Sequence, residues 1–247
     1  VLGLATAGAL CAQTPPDFSG VYYPINPFGR FVGGPAKGGA PKGPPPRPTA
    51  SAPLADGSTG RRPDEPSLKP EYMAKWQMIS KSLVAGSSEY DSTAKCLPPG
   101  IPAMMSMFYG MEVMQNKDKI TFFSELNDAL RRVYLDGRKP SQKVLDDPTY
   151  AGYSMGRWEG DTLVVDTVAI RDDTFIEGIT PHSDAMTVKE RIRLTEPGLL
   201  EDQITVTDPK ALTKPWETVK TYRKAKPGSG QDELREFACA EGIADAK

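Results

Sequence analysis

From Met111 onward, apolar and polar residues alternate with a period of two, in short runs separated by turn-forming residues. The pattern predicts strands at Glu112–Asn116, Ile120–Glu125, Leu130–Asp136, Tyr153–Glu159, Thr162–Ala169, Thr187–Thr195, Leu200–Thr207, Glu217–Lys224 and Leu234–Ala238. Links such as "NKDK", "EGD" and "EPG" have hairpin length. Upstream the period changes. In "SLKPEYMAKWQMISKSLVAG", Tyr72, Trp76, Ile79 and Leu83 form one helical stripe, Pro70 suits a first turn and Gly86 a stop.

Eight or nine strands in sequence predict a mainly β fold: an antiparallel up-and-down meander, barrel-like in the manner of lipocalins and calycins, with one N-terminal amphipathic helix. Closure or curling over the helix removes exposed sheet edges. The domain reading is 1–12 as a signal-peptide remnant, 13–32 as an extended segment, 33–66 as a linker, 67–110 as helix and apolar connection, and 111–247 as the β domain. Glycine and proline make up about half of the linker, which therefore reads as a mobile, polyproline-type tether rather than packed core.

The opening residues "VLGLATAGALCAQTPP" read as the end of a signal peptide cleaved after Ala12, which places the mature chain outside the cytoplasm. A lipid anchor at Cys11 fits less well, because Leu10 occupies a position that needs a small residue. Removing Cys11 leaves Cys96 and Cys239, an even pair in an oxidising compartment, and predicts a disulfide from the segment before the sheet to the last strand. In the chain-entropy model so long a loop contributes roughly 4 to 5 kcal/mol.

Composition narrows the function by exclusion. A formal net charge of −2, from 30 basic and 32 acidic residues, gives no electrostatic reason to bind nucleic acid. No apolar stretch has the length of a membrane span. Phosphate-cradling glycine loops, a dinucleotide fingerprint, paired CxxC motifs, HExxH and calcium-loop patterns are absent, so neither cofactor nor metal is expected.

"GYSMG" at 152–156 matches the G-x-S-x-G pattern of serine hydrolases, but a strand, turn and strand follow it where a nucleophile elbow requires a helix. Ser154 therefore reads as a strand residue. His182, the single histidine, lies with Asp184 in the longest connection of the sheet and is the candidate general acid or base; the competing reading is a turn whose polar groups satisfy the backbone. In "TVKERIRL", Glu190 shares a face with Val188, Ile192 and Leu194; Asp166 shares one with Val164 and Val168, and Arg132 with Leu130 and Tyr134. Such groups are either buried ion pairs or a functional polar cluster. The candidate catalytic set is His182, Asp184, Glu190 and Arg132, with Tyr134, Trp158, Asp166 and Trp216 as candidate ligand contacts.

The pieces "PDFSGV", "CLPPGIPAMM", "RRVYLDGR", "PTYAGYSMGRWEGDTLVVDT", "TPHSDAMTVKERIRL", "DPKALTKPW" and "EFACAE" are together similar to a family of exported bacterial proteins. That resemblance implies export and the sheet topology. Its pattern includes the positions that are here Cys96, Cys239, Trp158, Asp166, His182, Asp184, Glu190, Asp208 and Trp216. The chain departs from it in the inserted linker, and in Lys139 and Tyr153, where relatives often carry histidine. The expected function is an exported, barrel-like binder of a small apolar or aromatic molecule. The alternatives are a cofactor-independent lyase, isomerase or hydrolase working through His182, and a structural protein of the envelope.

Overall fold

The structure is a computed structural model, and it describes residues 14–25, 60–62, 64–237 and 239. The segment read from the sequence as a signal-peptide remnant, and most of the one read as a linker, lie outside the described residues. Nine strands close into one barrel in sequence order: β1 (Gly20–Pro24), β2 (Met111–Gln115), β3 (Lys119–Ser124), β4 (Ala129–Tyr134), β5 (Tyr153–Glu159), β6 (Thr162–Val168), β7 (Thr187–Glu196), β8 (Leu199–Thr207) and β9 (Trp216–Lys224). Strand β1 completes the closure by pairing with β2 on one side and β9 on the other.

Two features correct the sequence reading. The barrel is mixed rather than purely antiparallel, because β4 and β5 run parallel, joined through only Val133↔Ser154 and Tyr134↔Met155. The connection 135–152, which contains the short helix α2 (Gln142–Asp146), carries the chain back so that β5 enters in the same direction as β4. The ninth strand is β1, from the N-terminal extended segment, and not Leu234–Ala238. Residues 234–237 form no ladder; they lie beside the sheet, where Arg235 N–H donates to Glu125 Oε1 at 2.8 Å and Phe237 packs edge-on to Tyr109.

Helix α1 (Pro70–Val84) starts with Pro70 in its first turn and buries Tyr72, Trp76 and Ile79, while Leu83 is half-buried. Burying each of these aliphatic or aromatic side chains contributes roughly 1.5–3 kcal/mol. The helix start is tied down where Lys69 N–H donates to Ala211 O at 2.8 Å and Leu68 bridges Leu212. Cys96 and Cys239 form a disulfide with a Cα–Cα distance of 5.7 Å, fastening the segment after α1 to the residues beyond β9.

Inside the barrel, alternate residues of every strand point to a common core. Tyr22, Met111, Val113, Ile120, Phe122, Val133, Leu163, Val165, Ile192, Leu200 and Ile204 are all buried there. Charged residues of the same inward parity, Arg131, Glu190, Asp202 and Lys220, are buried with them.

Candidate functional site

Arg131 crosses the barrel from β4. Its guanidinium forms a two-pronged ion pair with Glu190 on β7, with Nη1 to Oε1 at 2.7 Å and Nη2 to Oε2, and neither side chain is exposed. Nε donates to Ser154 Oγ on β5 at 3.1 Å, and Nη2 donates to Thr167 Oγ1 on β6 at 2.9 Å. One side chain thus fastens β4 to the three strands beyond it. The β4–β5 step has the fewest ladder pairs of the barrel, so polar side chains supply cohesion that the backbone does not.

This geometry settles the role of the G-x-S-x-G stretch. Ser154 is fully buried, hydrogen-bonded to Arg131 and to Thr167. Gly152 holds φ +62°, and a Cβ there would sit 2.7 Å from Ile170 Cγ1; at Gly156 it would sit 2.6 Å from Val133 Cγ1. Both glycines serve close packing at the seam.

Arg132 was the arginine expected on the apolar face with Glu190. The structure corrects this by one residue: β4 points Ala129, Arg131 and Val133 inward, and Leu130, Arg132 and Tyr134 outward. Both faces of β4 carry apolar neighbours, so alternation alone does not choose between two adjacent arginines. Asp166, too, faces outward, where it pairs with Arg157 at 2.8 Å and Lys189 at 3.4 Å. Glu190 is inside, as its parity requires.

A further buried acid completes the interior cluster. Asp202 on β8 is fully buried, faces Lys220 across the β8–β9 ladder, and lies diagonally from Glu190. Burial, reinforced by the Glu190 charge, holds its carboxyl well above the usual carboxylate range. Burial lowers Lys220, against the pull of Glu177, whose Oε2 accepts from its Nζ at 3.1 Å. Glu177 also accepts from Ser106 Oγ at 2.7 Å, and the Tyr222 hydroxyl donates to Met105 O. This polar chain joins the barrel interior to the segments 103–106 and 169–186 that cover it.

His182 lies in the β6–β7 connection and is almost wholly buried. Nδ1 is 2.9 Å from Ser183 O, so that nitrogen carries the proton, and Nε2 meets Thr174 Oγ1 at 2.8 Å. Burial pushes the imidazole below its ordinary pKa. Asp208 accepts from Ser183 N–H and Oγ–H, both at 2.7 Å, while Asp184 points outward to Lys210 at 2.6 Å. The four candidate catalytic residues are therefore not brought together: His182 braces a loop, Asp184 is a surface partner, Glu190 is an interior ion-pair member, and Arg132 is on the outer wall. Trp158 packs on Phe18 with ring centroids 5.2 Å apart, and Trp216 Nε1 donates to Asp64 O at 2.7 Å.

Two of the candidates do meet in an open site. Beyond the short β4–β5 ladder the strands part, and a lateral cleft of about 340 Å³ opens beside the first half of β4. It is lined by Arg132 and Tyr134 of β4, by Tyr150 and Tyr153, and by Ile101 and Met104. Tyr134 and Tyr153 lie with ring centroids 5.2 Å apart. Arg138 covers the face of Tyr134 at 4.4 Å, and Arg171 that of Tyr150 at 4.9 Å, which fixes both rings. A second cleft of about 280 Å³, lined by Tyr90, Lys95, Asp173 and Phe175, shares Pro98 and Tyr150 with the first.

The chain is similar to several solved structures. They include the wild-type fluorescent protein UnaG, at 17% identity and a TM-score of 0.30, covering 55% of this chain and 88% of that one. An asparagine-to-alanine mutant of the same protein matches at 17% identity and 0.30, covering 56% and 88%. No family model and no curated protein matches the chain. The barrel itself rests on the strand ladders. Among the described residues, no helix is long and apolar enough to cross a membrane, and no cluster of three or more His, Cys, Asp or Glu is placed to hold a metal.

Proposed function

We propose that this is an exported barrel protein that holds one small aromatic or largely apolar molecule in the lateral cleft between β4 and β5. The observation that carries the reading is the cleft's composition: three tyrosines beside the apolar Ile101, Met104 and Leu130, with Arg132, Asp128 and Thr149 as its other polar members. That mixture, at a volume near the lower end of the roughly 300–1,000 Å³ of ligand sites, suits a compact ring system. The interior offers less, since Arg131, Phe122, Tyr22 and Lys220 fill it with fully buried side chains. The Cys96–Cys239 disulfide supports an oxidising compartment and hence export.

Titration with 2-naphthol, followed by tyrosine and tryptophan fluorescence, tests this. Saturable one-to-one binding is expected. Tyr134→Ala and Tyr153→Ala should each weaken it by about 2- to 10-fold, the range for a lost aromatic contact. Undiminished affinity in both variants, with unchanged melting temperatures, would remove the cleft as the site.

A further inference from the structure

The arginines around the lateral cleft are nearly all committed. Arg131 is paired with Glu190 inside the barrel, Arg138 with Asp136 and Arg171 with Asp173. Arg132 differs. It is exposed on the cleft wall, and among the described residues no carboxylate lies within ion-pairing distance of it; Asp128, in the same lining, forms no ion pair with it. Its strand neighbours hold the backbone on one side, through Thr121↔Arg132, so the side chain projects from a rigid wall next to Tyr134.

We infer that Arg132 is the anion anchor of the cleft, and that the molecule held there is a planar aromatic carrying a carboxylate or similar anionic group. This rests on the cleft reading above and names the ligand class for that site. A guanidinium offers a flat, forked set of donors that matches a carboxylate, and it does so best when it is not already ion-paired, as Arg132 is not with Asp128, the carboxylate of the same lining. The tyrosine rings take the ring system while Arg132 takes the charge, so orientation is fixed at both ends.

Three probes of one ring system separate the claims: 2-naphthoate, 2-naphthol and 2-(aminomethyl)naphthalene, titrated against the full chain at low and moderate salt. The expected result is that 2-naphthoate binds about tenfold tighter than 2-naphthol, that the amine binds weakest, and that the preference shrinks with salt. Arg132→Gln should reduce the naphthoate preference to under about twofold while leaving 2-naphthol unchanged, and Arg132→Lys should retain part of it. Arg223→Gln, an exposed arginine on β9, serves as the control and should change nothing. Equal affinity for acid and alcohol, or an unchanged preference in Arg132→Gln, overturns the anion anchor and leaves the aromatic cleft standing. Failure of all three probes to bind, or binding indifferent to Tyr134→Ala and Tyr153→Ala, overturns the cleft reading and the anchor together.

Discussion

Arg131→Met should lower the unfolding free energy by about 3–5 kcal/mol, most of a small domain's margin. The loss is not the worth of one hydrogen bond. Methionine fills much of the same volume but leaves Glu190, which has no exposed surface, without its counter-charge. It also strips Ser154 and Thr167 of a donor at the step where β4 and β5 share only two ladder pairs. Two controls give the prediction its shape. The double variant Arg131→Met/Glu190→Leu should recover more than half of the loss, because replacing both charges restores a neutral interior. Hydrogen exchange in Arg131→Met should rise first around 153–156, at the seam. A loss below about 1 kcal/mol in urea or thermal melts would mean that the ion pair does not hold the barrel closed.

Asp202→Asn should stabilise the protein at pH 8 by about 1–3 kcal/mol, the cost of a poorly satisfied buried polar group. The gain should shrink toward zero as the pH approaches 4. An unfolded aspartate ionises near 3.8, whereas burial and the Glu190 charge keep the folded carboxyl protonated to higher pH. In that window the native state binds the extra proton, so stability conferred by Asp202 is complete below about 3.8 and is lost as the pH rises through the folded value. Asparagine cannot ionise, and its amide can donate where the protonated carboxyl did. His182 works in the opposite sense: its folded pKa lies below the ordinary 6.5, so its contribution is lost on acidification below that value. The two effects are separated by comparing wild type with Asp202→Asn across the same pH series. A destabilised Asp202→Asn at pH 8 would show that Asp202 is ionised and paired across the ladder with Lys220.

Much of the barrel was legible because a half-buried strand imposes a period of two, and β3, β7 and β8 keep that period along most of their length. What escaped had physical reasons. β1 has five residues and acquires its role only by meeting β2 and β9, far away in sequence. The apolar run near Leu234 alternates like a strand, but the barrel is already closed by β1 and leaves it no edge. The parallel step hides in the long connection 135–152, which reads locally as turns and one short helix.

The candidate site was legible in part. Glu190 on the apolar face left a buried ion pair and a functional polar cluster both open, and "LRRVY" presents two arginines on faces of nearly equal apolarity, of which the expectation named the outer one, Arg132. Asp202 was missed although its signal was present: parity places it with Leu200, Ile204 and Val206, all buried. Lys220 carries the same signal beside Tyr222. The cleft has no local signature, since it forms only where 98–104, 128–134 and 149–153 come together.

The most direct test is the location of a bound aromatic acid. A structure of the protein soaked with 2-naphthoate, or a map of its amide shifts in solution, should show the ring against the Tyr134–Tyr153 pair and the carboxylate at Arg132, with the Arg131–Glu190 pair intact. A ligand found within the barrel, with Arg131 and Glu190 parted around it, would contradict the account.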